Sequence, residues 1–383
     1  MAAGLKAPMP DTLTLNEQVA DDTVAHAIDL TSVEADLEEK ALGSLEQLES
    51  ILVQQLSAAD LGSDGSPSLT PYARHRLEML LQQTRDTIRT TYTAINAAHT
   101  VGLTDLANLA SAFAEGVISP VALQIEIDTV ALTAGQLRAI VSDALIQGAP
   151  SAEWWSRQAG DLVERFSDTM RMGLMQGWTN DQLVRAVRGT ASWVGGRRVY
   201  NGGIMDITAQ NAESLVRTSA QAVASASRRD TYRSNSDVVK GIVQISTLDN
   251  RTTLTCISYD REAWLFPDMQ PIGTKRLPYN SGTPRHWRCR STESGLLKSW
   301  RELGIDMNDL PVGERISSDG KVPADITFDE WLARRTPAQQ DAQLGPGRAA
   351  LWRNGKINLK QLLDGRGNPL TLEQLYAKYG RPK

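Results

Sequence analysis

The two cysteines of this chain, Cys256 and Cys289, lie in two separate polar segments. Cys256 follows the run Ser-Thr-Leu-Asp-Asn-Arg-Thr at residues 246–252, and Cys289 belongs to the run Pro-Arg-His-Trp-Arg-Cys-Arg-Ser-Thr at residues 284–292. A fold that joins these segments places a thiol beside an imidazole and a second thiol. The pattern therefore predicts a functional site or a structural link between them.

Length and composition indicate a globular protein. A chain of 383 residues with 41% hydrophobic content is expected to form two or three domains with buried cores. No run of about eighteen apolar residues is present, so we expect no membrane partner. The first residues lack the charged and apolar segments of a secretory signal, which predicts synthesis in the cytoplasm. So few cysteines argue against a disulfide-stabilised secreted scaffold.

Charge is distributed unevenly along the chain. Residues 1–150 carry 7 Lys and Arg against 20 Asp and Glu, a net charge of −13, whereas residues 151–383 carry 33 against 25, a net charge of +8. Acidic surfaces repel phosphate and basic surfaces attract it, so any contact with nucleic acid is expected in the C-terminal part.

Residues 1–150 are predicted to form an acidic helical region. Apolar residues recur at helical intervals over residues 21–56, which predicts one amphipathic helix or two short ones. A second long helix is expected over residues 72–98, with Gly102 separating it from the next. Gly148, Ala149 and Pro150 mark the predicted domain boundary because proline cannot continue a helix. The region is either a bundle that buries its own apolar stripe or an arm that docks on a larger assembly.

Residues 151–300 are predicted to form an α+β domain that is mostly helical. Three helices are expected here. One covers residues 153–175, a second begins after a cap at Thr179 or Asn180, and a third covers residues 206–234. Residues 195–203 are rich in glycine and arginine, which predicts an exposed loop. β-Branched residues predict a strand at 238–245, and further strands are expected at 262–266 and 288–292. The small sheet would hold the cysteine segments on its loops.

Residues 301–383 are predicted to be a loop-rich tail with short helices that pack on the core. Turn-forming residues recur at 309–313 and 319–323. Thr327 and Glu330 match the capping pattern that begins a helix. Trp300, Trp331 and Trp352 are expected to anchor the tail, because large rings bury much apolar area.

The cysteine segments resemble the motif of the phage head-morphogenesis family, the Mu F-like minor capsid proteins. The resembling motif residues are Leu248, Asp249, Arg251, Thr252, Cys256, His286, Cys289 and Arg290. The resemblance extends over roughly residues 150–383 through further segments at residues 215–219, 328–332, 344–348, 351–357 and 370–375.

This resemblance implies a non-enzymatic minor head protein located inside the virion. It would associate with the portal and with the major capsid or scaffolding protein, and act in head assembly or DNA delivery. Under this interpretation the acidic helices dock on the portal or capsid. The basic part lies near packaged double-stranded DNA, which Arg251, Arg285, Arg288 and Arg290 are candidates to contact.

The state of the thiols has three alternatives at this point. In the first alternative, Cys256, His286 and Cys289 are three ligands of a zinc ion, and Asp249, Asp260 or water supplies the fourth. The cysteines could instead form a disulfide, or they could pack as reduced thiols. Under the family resemblance, Thr253 and Ser291 stand where some members carry further cysteines, which weakens the metal interpretation.

An enzymatic alternative also follows from the same residues. His286 could lower the pKa of a cysteine thiol, Asp249 could orient the imidazole, and the thiolate would then attack a carbonyl. The sequence contains no nucleophile elbow or glycine-rich loop to accompany such a pair. A thiol- or metal-dependent hydrolase built on Cys256, His286 and Cys289 is therefore the second hypothesis for the function.

Overall fold

The computed structural model describes residues 15–59, 61, 70–194, 197–272, 277–304, 314–317, 320–323 and 326–382, with the backbone alone over 193–194, 197–200, 314–317 and 320–323. The architecture is α+β and mostly helical, as the sequence predicts. The helices are α1 (Leu15–Ala59), α2 (Pro71–Gln124), α3 (Ala134–Asp143), α4 (Ser151–Met175), α5 (Asn180–Arg188), α6 (Ile204–Ser234), α7 (Leu254–Tyr259), α8 (Phe328–Ala333), α9 (Pro337–Leu344), α10 (Pro346–Arg353) and α11 (Leu372–Tyr379), with a 3₁₀ turn at Leu359–Leu362. The strands are β1 (Thr190–Val194), β2 (Arg197–Asn201), β3 (Val239–Ile245), β4 (Ala263–Leu265), β5 (Gln270–Pro271), β6 (Thr292–Leu297), β7 (Glu314–Ser317) and β8 (Gly320–Pro323).

The chain forms two compact units, each made of segments that are distant in sequence. One, the sheet unit, contains the described residues of Met1–Leu30, Ala107–Leu137 and Gln221–Lys383. The other, the helical unit, contains those of Thr31–Leu106 and Arg138–Ala220. These units are defined by spatial contacts, whereas the predicted boundary at residue 150 divides the chain in sequence order. The boundary at residue 150 stays a prediction.

Helices α1 and α2 are the two long elements of the acidic region. The helix predicted over residues 21–56 is confirmed by α1. The break predicted at Gly102 is wrong, since α2 continues through Gly102 and Pro120 to Gln124. The reason is close packing, because a Cβ added at Gly102 would lie 2.1 Å from Leu37 Cδ2. Glycine at this position gives the helix room against Leu37 rather than ending it.

A comparison of two helical glycines tests this packing. Nothing lies within 4 Å of a Cβ added at Gly43, in contrast to Gly102. We expect Gly43→Ala to raise the free energy of unfolding by about 0.5–1 kcal/mol through helix propensity. We expect Gly102→Ala to lower it by about 1–3 kcal/mol through overpacking against Leu37. Urea denaturation measures both, and equal stabilisation by the two substitutions would contradict the close approach at Gly102.

Helix α2 also has the length and composition of a membrane-crossing segment. An 18-residue window within Pro71–Gln124 reaches a mean hydropathy of 1.4, and 44% of that window is buried in the fold. Core helices of soluble proteins meet the same criterion, so the observation is weak. The expectation that the protein has no membrane partner stays a prediction.

The helical unit is organised around Trp155 of α4 and His99 of α2, both of which are buried. The indole Nε1 of Trp155 donates to His99 Nδ1 at 3.0 Å, and His99 Nε2 lies 3.1 Å from Ser219 Oγ. An indole N–H can only donate, so the proton of a neutral His99 is on Nε2 and bonds Ser219. Burial lowers the pKa of His99 to about 4. This histidine is therefore a neutral core group.

Two further elements of the helical unit bear on the predictions. Thr179, one of the two predicted caps, begins α5, and it also forms a capping box with Gln182. Within the exposed loop predicted at residues 195–203, residues 197–201 instead form β2, which pairs antiparallel with β1. Valine, tryptophan and tyrosine in β1 and β2 favour extended strands. Gly195 and Gly196 themselves lie outside the described residues.

The sheet unit contains a four-stranded antiparallel sheet in the order β5-β4-β3-β6. The predicted strands at 238–245 and 262–266 are confirmed by β3 and β4. The strand predicted at 288–292 is wrong in position, because β6 begins only at Thr292. Arg288 has a φ of 58°, which is a turn conformation incompatible with an extended strand. The cysteine segment therefore precedes the strand rather than forming it.

Two apolar cores stabilise the sheet unit. The first surrounds the sheet and includes the buried side chains of Tyr232, Ile242, Tyr259, Trp264 and Leu297. The second joins the tail to α7 through buried residues that include Leu248, Ile257, Phe328, Trp331 and Leu351. Leu248 and Ile257 flank the first cysteine segment, so the tail core supports that segment directly.

The tail contains more regular structure than the sequence predicts. Thr327 and Glu330 form the predicted capping box at the start of α8. Trp300 and Trp331 are buried, which confirms their role as anchors, and the partly buried Trp352 donates from Nε1 to Asp329 Oδ1 at 2.6 Å. Strands β7 and β8 form a hairpin. The turn predicted at residues 309–313 lies outside the described residues.

Candidate functional site: a thiol–imidazole cluster

The first cysteine segment connects the end of β3 to the start of α7. Thr253 caps α7 and its Oγ1 accepts from the backbone N–H of Cys256 at 3.4 Å. Ser246 Oγ donates to the carbonyl oxygen of Cys256 at 2.6 Å. The backbone of Cys256 is thus hydrogen-bonded at both its nitrogen and its oxygen. These bonds fix the position from which the thiol side chain extends.

The second segment is a turn that leads into β6. The backbone N–H of Cys289 donates to the carbonyl oxygen of His286 at 3.2 Å, which closes the turn around residues 286–289. Arg288 supplies the left-handed φ that this turn needs. Thr247 Oγ1 of the first segment donates to the carbonyl oxygen of Arg290 at 3.0 Å. This bond ties the two segments together beside the cysteines.

The predicted meeting of the two segments is present in the structure. Cys256 Sγ lies 3.2 Å from His286 Nε2 and 3.6 Å from Cys289 Sγ. The potential ligand atoms of these three residues all lie within 4.8 Å of one another. Both cysteines are free and buried, while His286 is half-buried. In this structure the thiols are therefore in contact without a disulfide.

The ring orientation of His286 is set by its backbone neighbour. Its Nδ1 lies 2.9 Å from the carbonyl oxygen of Trp287. A carbonyl oxygen only accepts, so Nδ1 carries a proton and, in the neutral ring, Nε2 presents its lone pair to the thiols. The tautomer is the one that a metal-binding or base-type imidazole needs.

The two thiols differ in acidity. The hydrogen bond between the thiols, together with burial, raises the pKa of Cys256 well above its usual value. The same hydrogen bond lowers the pKa of Cys289 well below its usual value, and His286 adds to this although burial opposes it. Burial opposes protonation of His286, but its hydrogen bond and charge interaction with Cys289 raise its pKa overall. Cys289 is therefore the thiol that ionises first.

Asp249 and Arg290 form a clamp between the two segments. Arg290 donates from Nη1 to Asp249 Oδ2 and from Nη2 to Oδ1 at 2.8 Å, a two-pronged ion pair. Asp249 Oδ1 also accepts from the backbone N–H of Arg251 at 2.9 Å and from Thr252 Oγ1 at 3.1 Å. Burial opposes ionisation of Asp249, but these bonds, led by Arg290, lower its pKa overall.

The acidic residues predicted as a fourth metal ligand have other partners. Asp249 is held by Arg290, and among the described residues the ligand cluster comprises Cys256, His286 and Cys289. Asp260 accepts from the backbone N–H of Ser246 at 2.9 Å and from that of Phe328 at 2.8 Å. Each carboxylate therefore ties chain segments together with both oxygens.

The four candidate DNA-contacting arginines lie in different environments. The guanidinium of Arg285 lies over the Tyr259 ring, 3.4 Å from its centroid, and donates from Nε to Gln244 Oε1 at 2.6 Å. Its side chain is thus half-buried and held by partners within the fold. Arg251 has a side chain that is 77% exposed, whereas Arg290 is 38% exposed and held by Asp249. Arg288 is also exposed.

Sequence reasoning missed the residues that hold Arg285 in place. Gln244 is fully buried in β3, and Tyr259 and Tyr279 complete the surroundings of the guanidinium. A signal was present, because Gln244 is a polar residue in a strand of otherwise apolar character, and such a buried amide requires a hydrogen-bonding partner. The identity of that partner follows only from the tertiary structure.

The arrangement permits three kinds of chemistry: ligation of a metal by two thiolates and an imidazole, formation of a disulfide, or a packed reduced cluster. The clamp of Asp249 and Arg290 holds the cluster in place under each alternative. Comparisons of this chain with protein-family models, with curated proteins and with solved structures found no match.

Proposed function

We propose that this chain is a minor head protein of the phage head-morphogenesis class, made in the host cytoplasm and located inside the capsid beside the portal. The observation that carries the proposal is the ordered motif of residues 248–256 and 286–290, whose two halves form one site in the fold. Asp249 of the first half pairs with Arg290 of the second. Motif residues that are far apart in sequence are thus in direct contact in the fold, which is what a family signature would require.

The uneven charge supports a division of partners within this proposal. The acidic residues 1–150, with a net charge of −13, suit docking on the portal, major capsid or scaffolding protein. The basic residues 151–383, with a net charge of +8, suit the neighbourhood of packaged double-stranded DNA. Neither partner type requires catalytic chemistry, so the proposal is for a non-enzymatic protein.

A complementation experiment tests this function. In a phage whose copy of the gene is deleted, the wild-type gene should restore DNA-filled heads seen by electron microscopy. The Asp249→Asn variant should restore fewer, because it breaks the clamp, whereas the exposed Asp268→Asn variant should match the wild type. Normal heads and full infectivity without the gene would overturn the proposal.

Contact with DNA is a separate expectation of the same proposal. We expect the double substitution Arg251→Glu and Arg288→Glu to weaken binding to duplex DNA. The slope of the logarithm of the binding constant against the logarithm of the salt concentration should become shallower by about 2. Both side chains are exposed, so the fold should be retained. Fluorescence anisotropy with labelled duplex at several salt concentrations measures both quantities.

The control for DNA binding carries the same charge change elsewhere. Arg85 and Arg89 are exposed on α2 in the helical unit, and their double substitution by glutamate should leave DNA affinity and salt slope near wild-type values. Equal losses in both double variants would mean that net charge alone governs binding. No loss in either variant at low salt would remove the claim of DNA contact by Arg251 and Arg288.

A thiol- or metal-dependent hydrolase is the alternative, and the 3.2 Å contact between Cys256 Sγ and His286 Nε2 favours it. Against it, both thiols are buried, and His286 Nδ1 bonds a carbonyl oxygen instead of a carboxylate. Rapid alkylation of one thiol by iodoacetamide at neutral pH, together with loss of a hydrolytic activity in Cys256→Ser or Cys289→Ser at unchanged folding, would support the enzyme.

A further inference from the structure

We propose that Cys256, His286 and Cys289 bind one Zn²⁺ ion as three protein ligands, with the fourth position taken by an exchangeable ligand such as water. The inference rests on the geometry of the cluster and is independent of the proposed role in phage heads. It therefore holds or fails on metal binding alone.

Two of the three distances within the cluster are close to the edges of a zinc tetrahedron, and the third, between Cys289 Sγ and His286 Nε2, is within 4.8 Å. Zinc bonds of about 2.3 Å to sulfur and about 2.0–2.1 Å to nitrogen give tetrahedral edges of about 3.8 Å between two sulfurs and about 3.5 Å between sulfur and nitrogen. The two sulfurs lie 3.6 Å apart, and Cys256 Sγ lies 3.2 Å from His286 Nε2. Small adjustments of side-chain torsions bring the three atoms onto one ion.

The ligands are oriented before any ion arrives. His286 Nδ1 donates to the Trp287 carbonyl oxygen at 2.9 Å, which leaves Nε2 free to ligate, and zinc-bound histidines commonly have such a partner on the second nitrogen. Cys256 is fixed by backbone bonds at the start of α7, and Cys289 by the turn bond to His286. The loss of conformational freedom on metal binding is correspondingly small.

The fourth ligand is expected to be exchangeable. Asp249 and Asp260 use both carboxylate oxygens in other bonds. The hydroxyls of Thr253 and Ser291 lie beside Cys256 and bond its thiol, but a neutral hydroxyl is a weak zinc ligand compared with thiolate or imidazole. His286 is half-buried, so the cluster lies near the protein surface. Two thiolates, one imidazole and one water make up the predicted coordination.

Metal content and cobalt spectroscopy test the proposal on the full chain. After purification under reducing conditions and dialysis against zinc, we expect close to one zinc per chain by elemental analysis. Cobalt substitution should give a thiolate-to-metal charge-transfer band and intense visible bands of a tetrahedral site. The variants Cys256→Ser, Cys289→Ser and His286→Gln should each lower zinc affinity at least tenfold, as judged by competition with a chromogenic chelator.

The matched control is His75→Gln, which removes an exposed histidine from α2 and should leave zinc content and affinity unchanged. A folded wild-type protein that holds no zinc, with both thiols titrating as free groups or recovered as a disulfide, would overturn the proposal. Zinc that binds equally well to all three cluster variants would overturn it too, because the ion would then lie elsewhere.

A gain of affinity gives a second, independent test. Thr253 lies three residues before Cys256 and accepts its backbone N–H, so Thr253→Cys creates a Cys-x-x-Cys pair at the start of α7. We expect this variant to bind zinc at least tenfold more tightly, because a third thiolate replaces the exchangeable ligand. The matched substitution Thr255→Cys adds a thiol in the same helix outside the cluster. Equal affinity of the Thr253→Cys and wild-type proteins would contradict the predicted fourth position.

Discussion

Replacing Trp264 with alanine is expected to lower the free energy of unfolding by about 3–5 kcal/mol. The Trp264 side chain is fully buried on the central strand pair of the sheet unit, and its Nε1 donates to the carbonyl oxygen of Leu277 at 3.0 Å. Its ring lies 6.0 Å from that of Tyr259 and 5.2 Å from that of Tyr279. Truncation removes this contact area and leaves the Leu277 oxygen without its donor.

Chemical denaturation followed by circular dichroism measures this change. Trp287→Ala is the matched control, because the Trp287 side chain is 37% exposed and its backbone oxygen, which His286 uses, is retained. We expect the control to cost less than about 1 kcal/mol. A Trp264→Ala variant as stable as the control would mean that the sheet core is not organised around this ring.

Replacing Asp249 with asparagine is expected to lower the free energy of unfolding by about 1.5–3 kcal/mol at neutral pH. The substitution removes the charge that Arg290 bonds with two nitrogens and turns an amide N–H toward the guanidinium. Asp249 also orders its own loop through Arg251 and Thr252. The loss therefore loosens both motif segments at once.

The effect of Asp249→Asn should depend on pH in a defined direction. Burial opposes ionisation, but the bonds from Arg290 and its neighbours lower the pKa of Asp249 in the folded state. The ionised group thus stabilises the fold above the unfolded pKa of about 3.9, and that contribution is lost as pH falls through the folded pKa. The wild-type and variant curves should converge below about pH 4.

Asp268→Asn is the control for this prediction, because Asp268 is exposed and the same charge is removed. Its stability should stay within about 0.5 kcal/mol of wild type across the pH range. A constant difference between wild type and Asp249→Asn down to low pH would show that the clamp acts through shape and not through charge. In that case the assigned role of the ion pair is wrong.

The meeting of the two cysteine segments could be predicted from the sequence, while its details could not. Residue types at Cys256, His286 and Cys289 indicated a shared site, and the strands predicted at 238–245 and 262–266 are present as β3 and β4. The partner of Asp249 was not predictable, because Arg251, Arg285, Arg288 and Arg290 all offered the same charge. Tertiary geometry alone selects Arg290 for the carboxylate and places Arg285 against Tyr259.

The errors in the predicted helices and strands have local causes. A helix break was predicted at Gly102 because glycine has a low helix propensity. The close packing of Gly102 against Leu37 outweighs this low propensity, and the helix continues. Residues 195–203 were predicted as a loop because glycine and arginine are their commonest residues, whereas residues 197–201 form β2 and pair with β1. The predicted start of β6 was too early because the left-handed turn occurs at Arg288, where no glycine indicates a turn in the sequence.

The measurement that tests the central claim most directly is the location of this protein in phage particles. Particles from cells that express the phage structural genes are purified by sedimentation, treated with external protease, and probed for the chain. The account predicts a chain that sediments with heads in a few copies and stays protected until the capsid is opened. Absence from heads, or full digestion by external protease while the capsid is intact, would contradict the assignment to the head interior.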